Sequence, residues 1–426
     1  MQQKVIIIGA GFAGVQLAHS LDEKLFEVLL IDKLNHHQFQ PLFYQVATSQ
    51  LEPSSISFPL RYMFKRKPNI QIRMTELLEV HPERKTISTT IGDFNYDVLI
   101  LALGCRTNFF GNSNLAQHAL TLKSTSDAIA LRNRILLNFE QYVSATNSEK
   151  EALLNLVIVG AGPTGVELAG AFAEIKNHIL PRDYPRIDFS TYKIYLIEGS
   201  GHSLNTMSDR SKQASETYLR GMGVTFLPNT TVNNYDGENL LLSTGEIIKT
   251  KAVIWAAGVI ANPVHGLSPE IFTPQRRIIV DRTNRLAGYR DIYALGDLAS
   301  MITPLYPKGH PQVANVAINQ AKLLARNLKH LALGQSTKPY EYRDLGTMAT
   351  IGKHKAVVDF GHINLRGYLA WFIWMSLHLM LIVRVKNRLV IFINWAWAYV
   401  TKDTSLRLIL LPHPGRLPVK KSEKTK

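Results

Sequence analysis

One ten-residue stretch near the start of the chain constrains the fold more than any other. Four β-branched residues, Val5–Ile8, run directly into Gly9-Ala10-Gly11-Phe12-Ala13-Gly14, and a run that favours a helix follows. This order predicts a buried parallel strand, a tight turn and a helix whose N-terminus faces the turn. The first glycine permits the turn, the second lets a pyrophosphate approach the backbone, and the third lets helix and strand pack closely. The stretch therefore predicts a dinucleotide site.

An acidic residue completes this fingerprint. The apolar run Val28-Leu29-Leu30-Ile31 ends on Asp32, and a carboxylate at the end of the second strand accepts a hydrogen bond from a ribose 2′-hydroxyl. Residues 1–33 are therefore predicted to form a β-α-β unit.

A second copy of the pattern lies in the middle of the chain. Leu156–Val159 runs into Gly160-Ala161-Gly162-Pro163-Thr164-Gly165. Its acid, Glu198, is farther from the first glycine than in the usual fingerprint, and a lengthened helix and loop over Glu174–Tyr192 accounts for the distance. Two fingerprints in one chain predict two bound dinucleotides.

Two acidic positions in this second copy carry separate predictions. The Glu198 carboxylate accepts from a 2′-hydroxyl and repels a 2′-phosphate, and Gly199-Ser200-Gly201 offers no arginine, so we predict NADH rather than NADPH. Glu174 and His178 stand one helical turn apart, which favours a pair on the helix surface.

Further segments complete the predicted fold. Pro311–Leu328 is predicted as a helix with proline in its first turn, where a missing N–H costs nothing. Ser124–Val143 is predicted as a connecting helix, and short alternating runs from Tyr340 to Gly367 predict a few strands. Three more apolar strands end in glycine or Gly-Asp: Tyr96–Gly104, Ala252–Gly258 and Ile292–Asp297. The fold class is α/β, with two nested Rossmann-type dinucleotide-binding domains and a C-terminal amphipathic helical segment that anchors to a membrane.

Composition excludes several kinds of site. Cys105 is the single cysteine in 426 residues, so this chain alone forms no disulfide, zinc cluster, iron–sulfur site or redox cysteine pair. The adjacent His36 and His37 lack a third ligand at a suitable spacing, so no metal site is predicted. We expect their loop to pack on a bound cofactor. The chain opens directly on a strand without the features of a signal peptide, so we expect no export.

The C-terminal segment has its own composition. From Gly361 to Lys426 the chain contains eleven Lys and Arg, two Asp and Glu, and four of the five tryptophans, and this segment supplies nine of the fifteen net positive charges. Basic charge mixed with Trp and long aliphatic runs suits an anionic membrane surface and not a nucleic acid. We expect residues 418–426 to be disordered.

Charge spacing within this segment predicts how it meets the membrane. Arg366 and Arg384 bracket a run of seventeen uncharged residues, and Arg388 and Lys402 bracket a run of thirteen. A span takes about 20 apolar residues. Two helices lying in one leaflet therefore fit best, while a buried dimer interface and a single span remain as alternatives.

The chain resembles the two-dinucleotide-binding-domain flavoproteins, and among them the type II NADH dehydrogenases, which are single-subunit NADH:quinone oxidoreductases that do not pump protons. The resemblance covers nearly the whole chain. Its marks are the two glycine motifs, His37–Gln45, Gly162–Ala169, Ala294–Asp297 and the Trp-rich basic tail. Disulfide reductases and sulfide:quinone reductases of similar layout need cysteines beside the flavin, and one cysteine excludes both.

The resemblance implies a domain division and a set of site residues. Residues 1–123 and 266–338 form the two parts of an FAD-binding domain, 124–265 an NADH-binding domain with its connecting helix, and 339–426 a C-terminal membrane-associating domain. The implied FAD residues are Gly9, Gly11, Phe12, Ala13, Gly14, Asp32, Lys33, Gln40, Gly104, Gly296, Asp297, Val313 and Ala314. The implied NADH residues are Gly160, Gly162, Pro163, Thr164, Gly165, Glu198 and Gly258, and the implied catalytic residues are Glu167, Asn315 and Asn319.

One motif departs from the family. Its quinone-side pattern Ala-Gln-x-x-x-Gln is Ala314-Asn315-Val316-Ala317-Ile318-Asn319 here, so both amides are one methylene shorter. The helix that contains them is expected to direct its positive end at the flavin. By resemblance, Glu167 lies near the nicotinamide and the quinone path and helps to deliver a proton; the alternative is an acid that complements a helix N-terminus.

The predicted function is an FAD-dependent NADH:quinone oxidoreductase of a respiratory membrane. The expected partners are NADH, a membrane quinone, the lipid bilayer through residues 367–401 and a second copy of the chain, with no nucleic acid. The expected location is the cytoplasmic face of the cell inner membrane, in a peripheral or monotopic arrangement. Two alternatives are a soluble or peripheral NADH-dependent reductase of a small electron-transfer protein, and a redox-sensing flavoprotein.

Overall fold

The structure is a computed structural model that describes residues 2–382, 385–401 and 406–410. The predicted disordered end and the charged residues Arg384 and Lys402 lie outside these ranges.

Strands and helices alternate through most of the chain. The first part contains β1 Gln3–Ile8, α1 Phe12–Ser20, β2 Phe26–Asp32, β3 His36–Gln38, α2 Phe43–Ala47, β4 Ser57–Pro59, α3 Leu60–Met63, β5 Ile70–Met74, β6 Leu77–His81, β7 Thr86–Thr89, β8 Gly92–Asn95, β9 Val98–Leu101, β10 Cys105–Thr107 and α4 Ser113–His118.

The middle of the chain contains α5 Thr125–Ser144, α6 Asn147–Leu153, β11 Asn155–Val159, α7 Pro163–His178, α8 Leu180–Asp183, β12 Lys193–Ile197, α9 Asp209–Gly221, β13 Val224–Leu227, β14 Val232–Tyr235, β15 Asn239–Leu242, β16 Ile247–Lys249, β17 Ala252–Trp255 and β18 Val259–Ala261. The last part contains β19 Ile278–Ile279, β20 Ile292–Ala294, β21 Ala299–Ser300, α10 Ala314–Ala332, β22 Thr347–Gly352, β23 Lys355–Phe360, β24 Ile363–Arg366, α11 Tyr368–Leu381 and α12 Val385–Thr401.

Two parallel sheets organise these elements. One has the order β20-β9-β1-β2-β5 and the other the order β13-β12-β11-β17. The second sheet is nested in the first, because β20 of the first sheet follows all four strands of the second sheet in the sequence. The prediction of two nested Rossmann-type domains is confirmed.

The glycine-bearing strand lies inside each sheet. β1 pairs with β2 and β9, and β11 pairs with β12 and β17. Val5–Ile8 are all at most 3% exposed, and their unbroken apolar run reflects a parallel sheet that is covered on both faces. On one face α1 and α10 pack together, with Leu17 and Leu324 in the same core.

The C-terminal sheet β22-β23-β24 docks on the second domain. β22 lies so close to α7 that a Cβ on Gly170 would collide with the carbonyl of Ile351. Asp359 on β23 accepts hydrogen bonds from the Ser208 backbone N–H at 2.6 Å and the Ser211 hydroxyl at 2.7 Å, which fixes the sheet to the start of α9. This docking places β22 along the side of α7.

Two helices follow, as predicted. Among the residues that the structure describes, no helix is long and apolar enough to cross a membrane. Trp374 of α11 is 2% exposed and Ile391 of α12 is fully buried, so each helix keeps one side against the protein.

Helix α10 begins three residues later than predicted, at Ala314 and not at Pro311. Val313 precedes it in an extended conformation, and the Gln312 side chain donates to the Asp297 carbonyl at 3.0 Å. This tertiary hydrogen bond holds residues 311–313 off the helix axis, so the prediction from proline alone is wrong at this boundary.

Candidate active site

The two glycine turns have the same geometry. Gly9 has φ +103° and Gly160 has φ +102°, a backbone region that favours glycine. A Cβ on Gly14 would collide with the carbonyl oxygen of Gly9, and one on Gly165 would collide with that of Gly160. The first glycine therefore makes each turn, and the last allows close packing of helix on strand.

The middle glycines differ from their neighbours. At Gly11 and Gly162 an added Cβ would meet nothing within 4 Å. Each position therefore borders open space at the N-terminus of a helix, where backbone N–H groups attract a phosphate. This shape fits a pyrophosphate over each turn, so the residues present fit two dinucleotides.

The two predicted acids hold the turns in the same way. Asp32 accepts from the Ala10 N–H at 2.6 Å, and Glu198 accepts from the Ala161 N–H at 2.7 Å. The other oxygen of Glu198 accepts from the Ser200 N–H at 2.8 Å and its hydroxyl at 2.9 Å. Burial raises the pKa of Asp32. Because a carboxylate has about four acceptor sites, each acid keeps capacity for a ribose hydroxyl.

A cavity of about 250 Å³ opens at the carboxyl end of the first sheet. Thr164 and Glu167 of α7 reach it from the second domain. Eight of the predicted FAD residues line it: Gly11, Phe12, Ala13, Gln40, Gly104, Gly296, Asp297 and Ala314. The structure therefore brings the two halves of the predicted FAD domain and the start of α7 together around one space.

Apart from Thr164, the other predicted cofactor residues lie outside this lining. Lys33 is exposed, and Val313 is the residue that precedes α10. Pro163 begins α7. A Cβ on Gly258 would lie 3.3 Å from the ring of Phe110. The assignment of these four residues to a cofactor, like that of the residues that line the cavity, remains a prediction.

Sequence reasoning missed a cluster behind Asp297. Cys105 Sγ donates to the Asp297 carboxylate at 3.1 Å, and Lys123 Nζ lies 3.6 Å from the same sulfur. Burial, with a smaller contribution from Asp297, raises the pKa of Cys105 to about 12, so the thiol stays protonated and donates. The one available signal was the position of Cys105 directly after the predicted strand that ends at Gly104.

The predicted catalytic residues Asn315 and Asn319 line neither this cavity nor a second one that Glu167 also borders. Asn319 Nδ2 donates to Asn315 Oδ1 at 2.8 Å, one turn apart on α10, so each amide partners the other. Ala314 and Ala317 of the same helix do line the first cavity, so the start of α10 faces it. Gln320, which was not predicted, accepts from the Gly296 N–H at 2.8 Å.

The paired histidines have structural partners. His37 is buried, and its Nδ1 lies 2.9 Å from the carbonyl of Ala10 in the first glycine turn. Its ring packs edge-on against Phe12, a residue of the cavity lining. Across the described ranges, no group of three or more side chains is placed to hold a metal ion.

A second cavity, of about 390 Å³, lies on the other side of Glu167. α7, β22, α11 and α12 form most of its walls, and Tyr44 and Glu167 line both cavities. The second lining includes five aromatic and two acidic side chains: Tyr44, Trp371, Trp374, Trp395, Tyr399, Glu167 and Glu174. Trp395 Nε1 donates to Gln45 at 2.8 Å, which joins α12 to α2.

Glu167 is a buried acid at the partition between the cavities. Glu167 is 9% exposed. Burial raises the pKa of its carboxyl group to about 8, although hydrogen bonds from the Thr350 backbone and the Trp374 indole act in the opposite direction. The Trp374 Nε1–H is buried and makes no hydrogen bond of regular geometry. His378 stacks on the same indole with ring centres 4.1 Å apart, and burial lowers its pKa to about 4. At neutral pH these pKa shifts favour a protonated Glu167 and a neutral imidazole on His378.

The prediction that Glu174 lies on the helix surface is wrong. Its carboxylate accepts a hydrogen bond from the Lys353 backbone N–H and lines the second cavity, and burial raises its pKa. The docking of β22 against α7 causes this burial, which helical spacing alone did not indicate. His178 is exposed, as predicted, and also lines the cavity.

Two glycine turns that converge on one cavity define a flavoprotein fold with two dinucleotide-binding domains. Residues 3–321 match the pyridine nucleotide-disulphide oxidoreductase family, and residues 345–402 match the NDH2 C-terminal domain. Two curated relatives come from Mycobacterium tuberculosis. The type II NADH:quinone oxidoreductase Ndh is 31% identical over 94% of this chain and 89% of its own, and NdhA is 32% identical over 94% and 87%. The chain belongs to the type II NADH:quinone oxidoreductase family.

Solved structures share the fold. The structure of NDH2 from Plasmodium falciparum in complex with NADH superimposes with a TM-score of 0.88 at 21% identity, covering 96% of this chain and all of that one. The sulfide:quinone oxidoreductase of Aquifex aeolicus gives 0.72 at 18% identity over 91% of this chain and 92% of its own. The predicted resemblance to type II NADH dehydrogenases is confirmed.

Proposed function

We propose that this chain is an FAD-dependent NADH:quinone oxidoreductase that transfers hydride from NADH to FAD and then reduces a quinone by two electrons, without pumping protons. The observation that carries the proposal is the arrangement of two cavities on either side of Glu167 and Tyr44, with both glycine turns on one side. The relatives from Mycobacterium tuberculosis are named for this reaction, and the Plasmodium falciparum structure contains NADH.

FAD belongs in the first cavity. Gly9–Gly14 would hold its pyrophosphate, Asp32 its ribose, and Asp297 its more distant polar groups, with Lys33, Gln40, Gly104 and the start of α10 at Val313 and Ala314 completing the site. When bound there, FAD would supply the hydride-accepting and two-electron chemistry of the reaction. The Cys105 thiol keeps the Asp297 carboxylate in place.

NADH belongs on the second glycine turn. Gly160–Gly165 and Gly258 would hold the dinucleotide, and Glu198, fixed by two backbone N–H groups, would bind its 2′-hydroxyl. Because the same carboxylate repels a 2′-phosphate, NADH is favoured over NADPH. No general base is needed for direct hydride transfer, so alignment and exclusion of water are the tasks of the protein.

The quinone belongs in the second cavity. Its tryptophan walls provide an apolar, aromatic lining, as expected for a planar apolar ligand. Glu167 lines this space, and burial raises its pKa to about 8, so it is placed to donate a proton to a quinone oxygen. Asn315 and Asn319 would act on this site indirectly, through the position of α10.

The membrane face is formed by α11 and α12. Large apolar side chains on these helices are more than half exposed, among them Tyr368, Leu369, Phe372, Met380, Leu389, Phe392, Ile393, Trp397 and Val400. We propose that residues 367–401 lie in one leaflet at the cytoplasmic face of the inner membrane, so that quinone enters from the bilayer. The proposed domain limits are 1–123 with 266–338, 124–265 and 339–426, and a homodimer is the proposed assembly.

An anaerobic titration tests the function. The purified protein should be yellow, NADH should bleach its flavin absorbance, and an added quinone analogue should restore the colour. Bleaching that requires NADPH, or a bleached flavin that quinone does not reoxidise, would contradict the proposal.

A further inference from the structure

Three titratable residues lie along one side of α7. Glu167, Glu174 and His178 are spaced by seven and four positions, which places them on one helix face. All three line the second cavity. This row of three side chains therefore extends over about three helical turns, from Glu167 between the two cavities to the exposed His178.

Polar groups from other elements face this row. The Lys353 N–H donates to Glu174, and the charges of Lys353 and Lys355 act on the same carboxylate. His354 also lines the cavity, and burial together with these two lysines lowers its pKa.

The phenol of Tyr44 lines the same cavity as the two acids. It is buried, it accepts from the Gln45 side chain at 2.9 Å, and the charges of both Glu167 and Glu174 act on it. A hydroxyl both donates and accepts a hydrogen bond, so Tyr44 can pass a proton from one carboxyl group to the other.

The reaction requires one proton from solvent. In NADH + H⁺ + quinone → NAD⁺ + quinol, the hydride brings two electrons and one proton, and water must supply the second proton. Glu167 is nearly buried, and a quinone in the second cavity would cover it. Each turnover therefore needs a route that protonates Glu167 again.

We propose that Glu174 and His178 form this route, which carries protons from solvent along α7 to Glu167 by way of the Tyr44 phenol. The inference rests on the proposed function. One O–H bond breaks at Glu167 as one forms at a quinone oxygen. Glu174 then returns a proton to Glu167 through Tyr44 and regains one from solvent through His178, and NADH is the sole reductant.

Glu174→Gln tests the route in the full-length flavoprotein. Glutamine retains an oxygen that accepts from the Lys353 N–H, but it does not carry the proton. The protein is reduced anaerobically with one equivalent of NADH and mixed with a quinone analogue in a stopped-flow instrument. We expect flavin reoxidation to slow by about tenfold or more, with a larger solvent deuterium isotope effect than in the wild type.

Ferricyanide separates electron transfer from proton supply, because it accepts electrons without protons. NADH:ferricyanide turnover should keep its rate in Glu174→Gln. Glu151→Gln, at an exposed site on α6, is the matched control and should behave as the wild type with both acceptors. In His178→Asn we expect a slower quinone step that added imidazole restores.

The outcomes are distinct. Reoxidation of Glu174→Gln by quinone at the wild-type rate between about pH 6 and pH 9 would overturn the route. Equal losses with ferricyanide and with quinone would also overturn it, because they would assign Glu174 a structural role. A wild-type protein whose reduced flavin no quinone reoxidises would instead refute the proposed function itself.

Discussion

At the scale of single residues, the site depends on where acids are buried. The sequence predicted Glu167 as a functional acid by resemblance, and the structure adds that it is enclosed between two cavities with a pKa of about 8. The structure also shows that Glu174, which was predicted on the helix surface, lines the second cavity. Both facts depend on β22 and α11, which follow α7 only much later in the chain. No local pattern around α7 contains that information.

The burial of Glu167 predicts a pH-dependent stability difference. Its pKa rises from 4.5 in a solvated reference to about 8 in the folded chain. The folded state therefore keeps a proton that the unfolded state has lost, and this contribution to stability is complete below pH 4.5 and disappears as the pH rises to 8. The slope is up to about 1.4 kcal/mol per pH unit.

Glu167→Gln removes this slope. We expect the thermal midpoint of the variant to rise relative to wild type from about pH 5 to pH 8, as followed by circular dichroism of matched flavin-loaded samples. Glu151→Gln should show no such trend. A midpoint difference that stays constant over the range would mean that Glu167 is ionised throughout.

At the scale of elements, the two strand–turn–helix units could be predicted because their signal is local. The run of β-branched residues, the three glycines and the terminal acid lie within one segment, and β1, α1 and β2 formed where expected. The start of α10 could not be predicted in this way, because the Gln312–Asp297 hydrogen bond that delays it joins distant segments.

The middle glycine of each turn offers a matched pair of variants. Gly11 has φ −72° and Gly162 has φ −71°, which alanine adopts without strain, and neither Cβ would touch protein. Each methyl group would instead occupy the space of a pyrophosphate. We expect Gly11→Ala to fold but to purify with much less FAD, as measured by flavin absorbance per chain.

The companion variant should affect the other cofactor. Gly162→Ala should retain its FAD and raise the KM for NADH by about tenfold, equivalent to about 1.4 kcal/mol. The opposite pattern, with flavin loss in Gly162→Ala, would reverse the assignment of the two turns.

At the scale of the whole molecule, the C-terminal helices are part of the enzyme as well as its proposed attachment. Sequence composition predicted the helices and their membrane preference. It did not show that Trp371, Trp374 and Trp395 wall the second cavity or that Ile391 enters the core. Deleting everything after Arg366 would therefore remove the proposed quinone cavity together with the proposed membrane face, so point substitutions are the sharper test.

Charges on the exposed face should release the protein from membranes. Phe372 and Phe392 are 57% and 53% exposed. Replacing both with glutamate should lower membrane partitioning by roughly 100-fold, from the lost burial of two rings at about 1.5 kcal/mol or more each. Sedimentation with membranes measures this, and NADH:ferricyanide activity should persist in the supernatant.

The control replaces equally exposed apolar residues elsewhere. Ile91 and Ile247 are 57% and 58% exposed, and the double glutamate variant at these sites should sediment like the wild type. If the two double variants sediment alike, the proposed membrane face is misassigned.

The partition of Tyr44 and Glu167 has a consequence for kinetics. In the proposed arrangement NADH and quinone bind in separate cavities, so neither has to leave a shared site before the other binds. A ligand that fills one cavity leaves the entrance to the other accessible. A high concentration of NADH would therefore not slow quinone reduction by occupying the second cavity. The rate of turnover would be set by whichever cavity is occupied less often.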